Sequence, residues 1–233
     1  ADSKPSVIGY ITGDKKYVGI TESHAWGMQY TAEANAFIRA AIDAPLPYVA
    51  LDSETTGLYP RDGHMLGISL SYEADRGAYI DTECFDEETE RLLQELFDKK
   101  TVVFHNAKFD MAFFEYHFNF TFPSFEDTML LHYLIDENPG THGLKQLSMK
   151  YTKYGDYEKP MYEWIDNYRK QHGILKNDFN WGDIPFDVMK LYAGMDAACT
   201  FLLYEKSVKL KQNKSLAKVY DNILIPGCSF WTD

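Results

Sequence analysis

The stretch that most constrains this chain is Tyr48-Val49-Ala50-Leu51-Asp52-Ser53-Glu54-Thr55-Thr56-Gly57-Leu58, an apolar run ending in Asp-x-Glu and a glycine-containing turn. Tyr, Val and Leu favour extended backbone, and side chains on a strand alternate between its faces. Asp52 and Glu54, two residues apart, therefore leave one face at the end of one strand. Neighbouring carboxylates repel, and burying them without a partner is costly. A hard divalent cation held between them relieves the repulsion and suits oxygen ligands. A solvated strand end explains an isolated Asp-x-Glu more simply. The decision rests on whether the chain supplies further carboxylates in similar settings.

The surrounding pattern is that of an α/β unit. Residues 7–20 read as two short strands, a small hairpin within an N-terminal arm over residues 1–30. Residues 31–42 carry Ala, Phe and Ile at helical spacing, with Thr31 as N-cap and Pro45 and Pro47 as the stop. Strands follow at 65–72 and 78–80, an amphipathic helix at 86–97, and a short buried strand at 101–104. That strand runs into His105-Asn106-Ala107-Lys108-Phe109-Asp110, with Asn106 as N-cap of a helix over 108–118. Helical runs follow at 128–135, opened by Asp127, and at 142–151. Residues 152–184, interrupted by Gly155, Pro160, Gly173 and Gly182, read as short helices and loops, and 186–210 as one long helix. Strands mostly before residue 105 and helices mostly after it predict a mixed β-sheet flanked by α-helices.

Hydrophobic residues make up 45% of the 233, enough for a packed core. No apolar run approaches the roughly 18 residues of a membrane span. The opening Ala1-Asp2-Ser3-Lys4-Pro5 has no signal-peptide character, and its missing initiator Met predicts a piece of a longer protein. Cys84, Cys199 and Cys228 give neither zinc spacing nor a disulfide framework, as expected in a reducing cytoplasm. A net charge of -12 argues against a sequence-reading DNA binder, whose affinity comes from Lys and Arg. It leaves room for an enzyme whose bound cations supply the local positive charge.

Two further stretches extend the carboxylate set. Asn106 and Asp110 lie where the buried strand turns into a helix. In Leu191-Tyr192-Ala193-Gly194-Met195-Asp196-Ala197-Ala198-Cys199-Thr200, Tyr192 and Asp196 are four apart and share a helical face. The small residues around them let that helix approach the sheet closely. Taken singly, Asp110 fits a helix-surface acid and Tyr192 a core aromatic whose hydroxyl reaches solvent. Asp196 among small apolar residues is harder to dismiss, because an unpaired buried carboxylate is expensive.

Asp-Ser-Glu-Thr-Thr-Gly-Leu at 52–58, His-Asn-Ala-Lys-Phe-Asp at 105–110 and Tyr-Ala-Gly-Met-Asp-Ala at 192–197 resemble the three exonuclease motifs of the DEDD superfamily. The tyrosine four residues before the last Asp marks the tyrosine subgroup. Order and spacing are most similar to the 3′→5′ proofreading exonuclease domain of family A, polymerase I-like DNA polymerases. The resemblance runs from about residue 31 to the C-terminus and includes 125–130 and 142–147. It also includes 222–226, similar to the segment leading into a polymerase domain; the chain is expected to end at 229–233 before that domain.

The resemblance implies a ribonuclease H-like fold and two divalent ions, Mg²⁺ or Mn²⁺. It implies that Asp52, Glu54 and Asp196 hold the first ion and that Asp52 bridges to the second. Asp110 approaches that second ion directly or through water, and Tyr192 positions the attacking water. On the substrate side, Leu58 resembles an apolar wedge against the terminal base, and Thr55 a backbone contact to the terminal nucleotide. Asn106 and Phe109 resemble residues lining the single-strand path, with His105 beside them. Turn packing, N-capping and core packing are the plain alternatives for Leu58, Asn106 and Phe109. The implied activity is hydrolysis of single-stranded or frayed DNA from its 3′ end, releasing nucleoside 5′-monophosphates. The implied setting is a linked or associated polymerase domain in a bacterial or phage-infected cytoplasm, with no membrane. Two alternatives stay open: a ribonuclease D-like RNA exonuclease that shares the same five residues, and a non-catalytic nucleic-acid-binding module.

Overall fold

A strand whose apolar residues run consecutively must be covered on both faces, and Val49-Ala50-Leu51 and Val102-Val103-Phe104 are such runs. In the computed structural model, which describes residues 11–12 and 15–230, both are fully buried in one mixed sheet. Ahead of it, β1 (Ile11–Thr12) and β2 (Lys15–Lys16) form a separate antiparallel ladder. The sheet comprises β3 (Ala25–Met28), β4 (Tyr48–Thr55), β5 (Met65–Glu73), β6 (Arg76–Asp81), β7 (Thr101–Phe104) and β8 (Phe125–Asp127). Their order is β3-β6-β5-β4-β7-β8. β4, β5 and β6 form an antiparallel meander, whereas β3 joins β6, β7 joins β4 and β8 joins β7 in parallel.

The helices are α1 (Thr31–Asp43), α2 (Glu87–Lys99), α3 (Ala107–Phe118), α4 (Thr128–Tyr133), α5 (Leu144–Tyr151), α6 (Lys159–His172), α7 (Phe186–Ser207), α8 (Lys214–Val219) and α9 (Ile225–Phe230). One core cluster joins α1, α2 and α3 to the sheet, and separate clusters join α7 to it. The expected apolar stripe of α2 is buried at Leu92, Leu93, Leu96 and Phe97, and Asp86 closes a capping box with Thr89.

Several local expectations are corrected. Tyr30, not Thr31, occupies the N-cap of α1; the Thr31 hydroxyl instead donates to the Cys84 carbonyl at 2.6 Å. The 14-residue α6 lies inside the region read as short helices and loops. Pro160 misled there, because it sits in the first turn, where a missing N–H costs nothing. The residues 1–30 read as an arm contribute β3, the edge of the sheet. The described hairpin ladder is short, at Ile11–Thr12 and Lys15–Lys16; residues 7–10 lie outside the described residues. α7 ends at Ser207 and gives way to a 3₁₀ turn.

The approach of α7 to the sheet is closer than side chains allow. A Cβ added at Gly77 on β6 would sit 1.9 Å from the Gly194 carbonyl oxygen, and one at Gly194 would sit 2.7 Å from the Gly77 oxygen. Backbone meets backbone, and neither can give. Gly77→Ala is expected to destabilise the protein by about 1–3 kcal/mol through overpacking, read by chemical denaturation. A loss below about 0.5 kcal/mol, the scatter of surface substitutions, would show that α7 has room to move.

Candidate metal centre and active-site cleft

Strand alternation puts Asp52 and Glu54 on one face of β4, where the ladder to β5 shifts register between Glu54 and Thr55. The close crossing of α7 brings Asp196 opposite them. Oxygens of Asp52, Glu54 and Asp196 all lie within 4.8 Å of one another. Glu54 and Asp196 are buried and Asp52 half-buried; Glu54 Oε1 is sealed from solvent with no hydrogen-bond partner. Among the described residues no Lys or Arg forms an ion pair with any of the three. Burial pushes the Asp52 carboxyl up to about 6. Burial, and then the charge of Asp52, holds Glu54 and Asp196 well above the usual carboxylate range. An all-oxygen donor set with an orphaned carboxylate oxygen fits a hard divalent cation.

Asp110 stands beside that set, not within it. Its Oδ1 accepts from the Ser53 N–H at 2.9 Å and the Ser53 hydroxyl at 2.6 Å, so the strand between Asp52 and Glu54 pins it. Burial and then the Asp52 charge raise its carboxyl well above the usual range. The start of α3, which carries Asp110, is fixed by a residue the sequence pattern had marked only as opening the next helix. Buried Asp127 accepts from the N–H groups of Asn106 and Ala107 at 3.0 and 2.8 Å, and also caps α4 through Met129 and Leu130.

Asn106 holds the N-cap position of α3 but makes no side-chain cap; it is exposed, in the left-handed region at φ 74°. His105 does not line the cleft. Its Nε2 donates to the His142 carbonyl and its Nδ1 meets the Thr128 hydroxyl, both at 2.7 Å. Burial pushes its imidazole down to about 4, so the ring is a neutral tie between elements.

Thr55, Leu58, Phe109 and Tyr192 do line one cleft of about 440 Å³ together with Asp52, Glu54 and Asp196. Leu58 is 77% exposed at its rim, and the Thr55 hydroxyl donates to the Gly57 carbonyl at 2.8 Å. Two further wall residues, Phe179 and Trp181, come from the region that carried no readable pattern. So does Tyr157, whose hydroxyl donates to Asp196 Oδ1 at 2.6 Å. Both wall residues follow Gly173 in a polar, aperiodic stretch. Their aromatic character was the one available signal.

Residues 28–210 match the family model for the 3′-5′ exonuclease of family A DNA polymerases. The chain belongs to this family. It is a metal-dependent 3′-5′ exonuclease domain, a hydrolase. The exonuclease domain is 44% identical over 207 residues to the DNA polymerase of Escherichia phage T5, covering 85% of this chain and 24% of that protein. It is 28% identical over 186 residues to DNA polymerase I of Borreliella burgdorferi, covering 77% and 19%. The chain thus spans a quarter or less of the length of these relatives.

Among solved structures, Escherichia coli RNase D is similar with a TM-score of 0.63 at 16% identity, covering 88% of this chain and 49% of that one. Brucella melitensis NrnC with bound Mg²⁺ gives a TM-score of 0.57 at 17% identity, covering 88% and 90%. At such identities the likeness is one of fold, the ribonuclease H-like mixed sheet. No helix among the described residues is long and apolar enough to cross a membrane.

The raised carboxyls carry a pH signature. Asp52 binds its proton more tightly folded than unfolded, so its contribution to stability is present below the ordinary carboxylate value near 4 and is lost as pH rises through about 6. Buried His105, held neutral, slopes the opposite way. The difference between wild type and Asp52→Asn isolates the acid. In EDTA at pH 8, Asp52→Asn is expected to be more stable by about 3 kcal/mol, and the advantage should vanish toward pH 4. Thermal melts showing no gap at pH 8 would mean that the carboxylates are not in conflict.

Proposed function

We propose that this domain removes nucleotides one at a time from the 3′ end of single-stranded or frayed DNA, proofreading for a covalently linked or associated polymerase domain in a bacterial or phage-infected cytoplasm. The supporting observation is the convergence of Asp52, Glu54 and Asp196 within 4.8 Å at a cleft walled by apolar and aromatic side chains. Water adds to the terminal phosphorus, the bond to the 3′ oxygen breaks, and a nucleoside 5′-monophosphate leaves a strand one residue shorter. Two Mg²⁺ or Mn²⁺ ions, when bound, supply activation of that water and charge stabilisation at the leaving oxygen.

Asp52, Glu54 and Asp196 would hold the first ion. Asp110 has Oδ2 left for the second, since Ser53 occupies Oδ1. Tyr192 lines the cleft, and among the described residues its hydroxyl makes no hydrogen bond, leaving it to orient water. Leu58 at the rim and Phe109, Phe179 and Trp181 along the walls offer wedge and stacking surfaces that tolerate any base. A cleft of this kind accepts an unpaired end, so a mismatch speeds removal by lowering the cost of unpairing. The cations also answer the net charge of -12, which by itself repels phosphate.

The likeness to RNase D is one of fold at 16% identity, while the phage T5 DNA polymerase is 44% identical over 85% of the chain; DNA is therefore the favoured substrate. Matched 3′-labelled DNA and RNA strands with Mg²⁺ test this: faster monophosphate release from DNA is expected, and strong preference for RNA would overturn it. Asp52→Ala with Glu54→Ala should reduce release to background, and retained activity would place the chemistry elsewhere. Tyr192→Phe should slow hydrolysis by about 10²-fold, the scale of a lost proton-handling group, while calorimetric metal affinity persists. Collapse of metal binding in that variant would make the phenol structural.

A further inference from the structure

Tyr192 lines the cleft, whereas a second phenol, Tyr157, stands outside its lining. Tyr157 lies behind Asp196, buried among Ile20, Tyr154 and Met195, its ring 6.4 Å from that of Tyr192. Its hydroxyl donates to Asp196 Oδ1 at 2.6 Å, the length of a strong bond to a carboxylate. The carboxylates of Asp52 and Glu54 also lie close to Asp196, and the charges of Asp52 and Glu158 oppose its ionisation. Torsion about the bond to a carboxylate is broad and nearly two-fold, so repulsion alone does not fix which oxygen Asp196 presents.

We infer that Tyr157 is a positioning residue of the metal centre, its hydroxyl holding Asp196 Oδ1 so that Oδ2 is left for a divalent cation. This rests on the metal-dependent exonuclease reading above. A partner that orients a metal-binding carboxylate sets affinity and rate without touching the substrate.

The placement of Tyr157 is built from several sides. Its N–H donates to the Gly155 carbonyl at 3.0 Å, and the preceding Tyr154 hydroxyl donates to Asp75 Oδ1 at 2.6 Å, tying the loop to the β5–β6 turn. On the other side the Val18 N–H donates to the Lys153 carbonyl at 2.8 Å, and the Tyr17 hydroxyl donates to the Met149 carbonyl at 3.1 Å. A Cβ at Gly155 would lie 3.1 Å from the Tyr17 ring, so glycine lets that segment close over the loop. The stretch after β2 therefore steadies Asp196 through Tyr157, although it lies far from the motifs in sequence.

The test is calorimetric titration of Mn²⁺ into metal-stripped protein, beside hydrolysis of a 3′-labelled DNA strand. Tyr157→Phe keeps the ring and removes the donor. The Mn²⁺ dissociation constant is expected to rise, and kcat to fall, by about 10- to 100-fold, with KM for the strand moving less than about twofold. Tyr154→Phe removes a hydrogen bond of the same length from the same loop and is expected to lower thermal stability without moving Mn²⁺ affinity. In an Asp196→Asn background, Tyr157→Phe should have no further effect on Mn²⁺ binding. Should Tyr157→Phe fail to melt cooperatively, Tyr157→Met takes its place with the same outcomes.

Unchanged Mn²⁺ affinity in Tyr157→Phe overturns the inference. So does an equal loss in Tyr154→Phe, which would assign the effect to the loop as a whole. A wild-type protein that neither takes up Mn²⁺ nor releases nucleotide refutes the exonuclease reading instead.

Discussion

Everything at the site depends on one contact that involves no side chain. At Gly77 and Gly194 the backbone of α7 lies against the backbone of β6, closer than any Cβ permits. Dispersion falls steeply with separation and interiors are close-packed, so a helix held a methyl group further out would reach a different place over the sheet. Asp196, half a turn beyond Gly194, would then miss the oxygens of Asp52 and Glu54. The small residues of α7 trade helix propensity for proximity: glycine inside a helix is disfavoured by about 1 kcal/mol relative to alanine, and the return is a carboxylate delivered to a strand end.

That delivery creates a conflict which the fold sustains. Three carboxylates share a buried corner with no ion-pair partner among the described residues, and their raised proton affinities express the strain. Stability held back at a functional site is common where a ligand supplies the missing charge. Neighbouring carboxylates are handled differently. Asp110 is neutralised in part by two hydrogen bonds from Ser53, and Asp127 by the N–H groups at the starts of α3 and α4. Within the three-carboxylate cluster, Glu54 Oε1 is buried without a hydrogen-bond partner. Asp127 alone among these acids is held by backbone N–H groups at two helix starts, which marks it as structural.

The motifs were legible because each rests on local physics. Strand alternation at 52 and 54, helical spacing at 192 and 196, and a buried strand turning into a helix at 105–110 need no long-range information. They sufficed for the mixed sheet, for the shared faces of Asp52 with Glu54 and of Tyr192 with Asp196, and for the small-residue face of α7. Where reading failed, a local signal had two meanings. Pro160 breaks a helix interior but begins α6. His105, adjacent in sequence to Asn106 and Phe109, turns away from the cleft to tie two elements together.

The sequence by itself determined which residues carry charge and which faces of single elements they share, since both follow from residue type and backbone period. Tertiary structure alone decided which elements meet. Phe179 and Trp181 join Leu58 in lining the cleft, and Tyr157 reaches Asp196, only through the tertiary placement of a region whose sequence carried no readable pattern. Contacts between residues so far apart along the chain are selected by packing and closure entropy over the whole fold, and no local pattern encodes them.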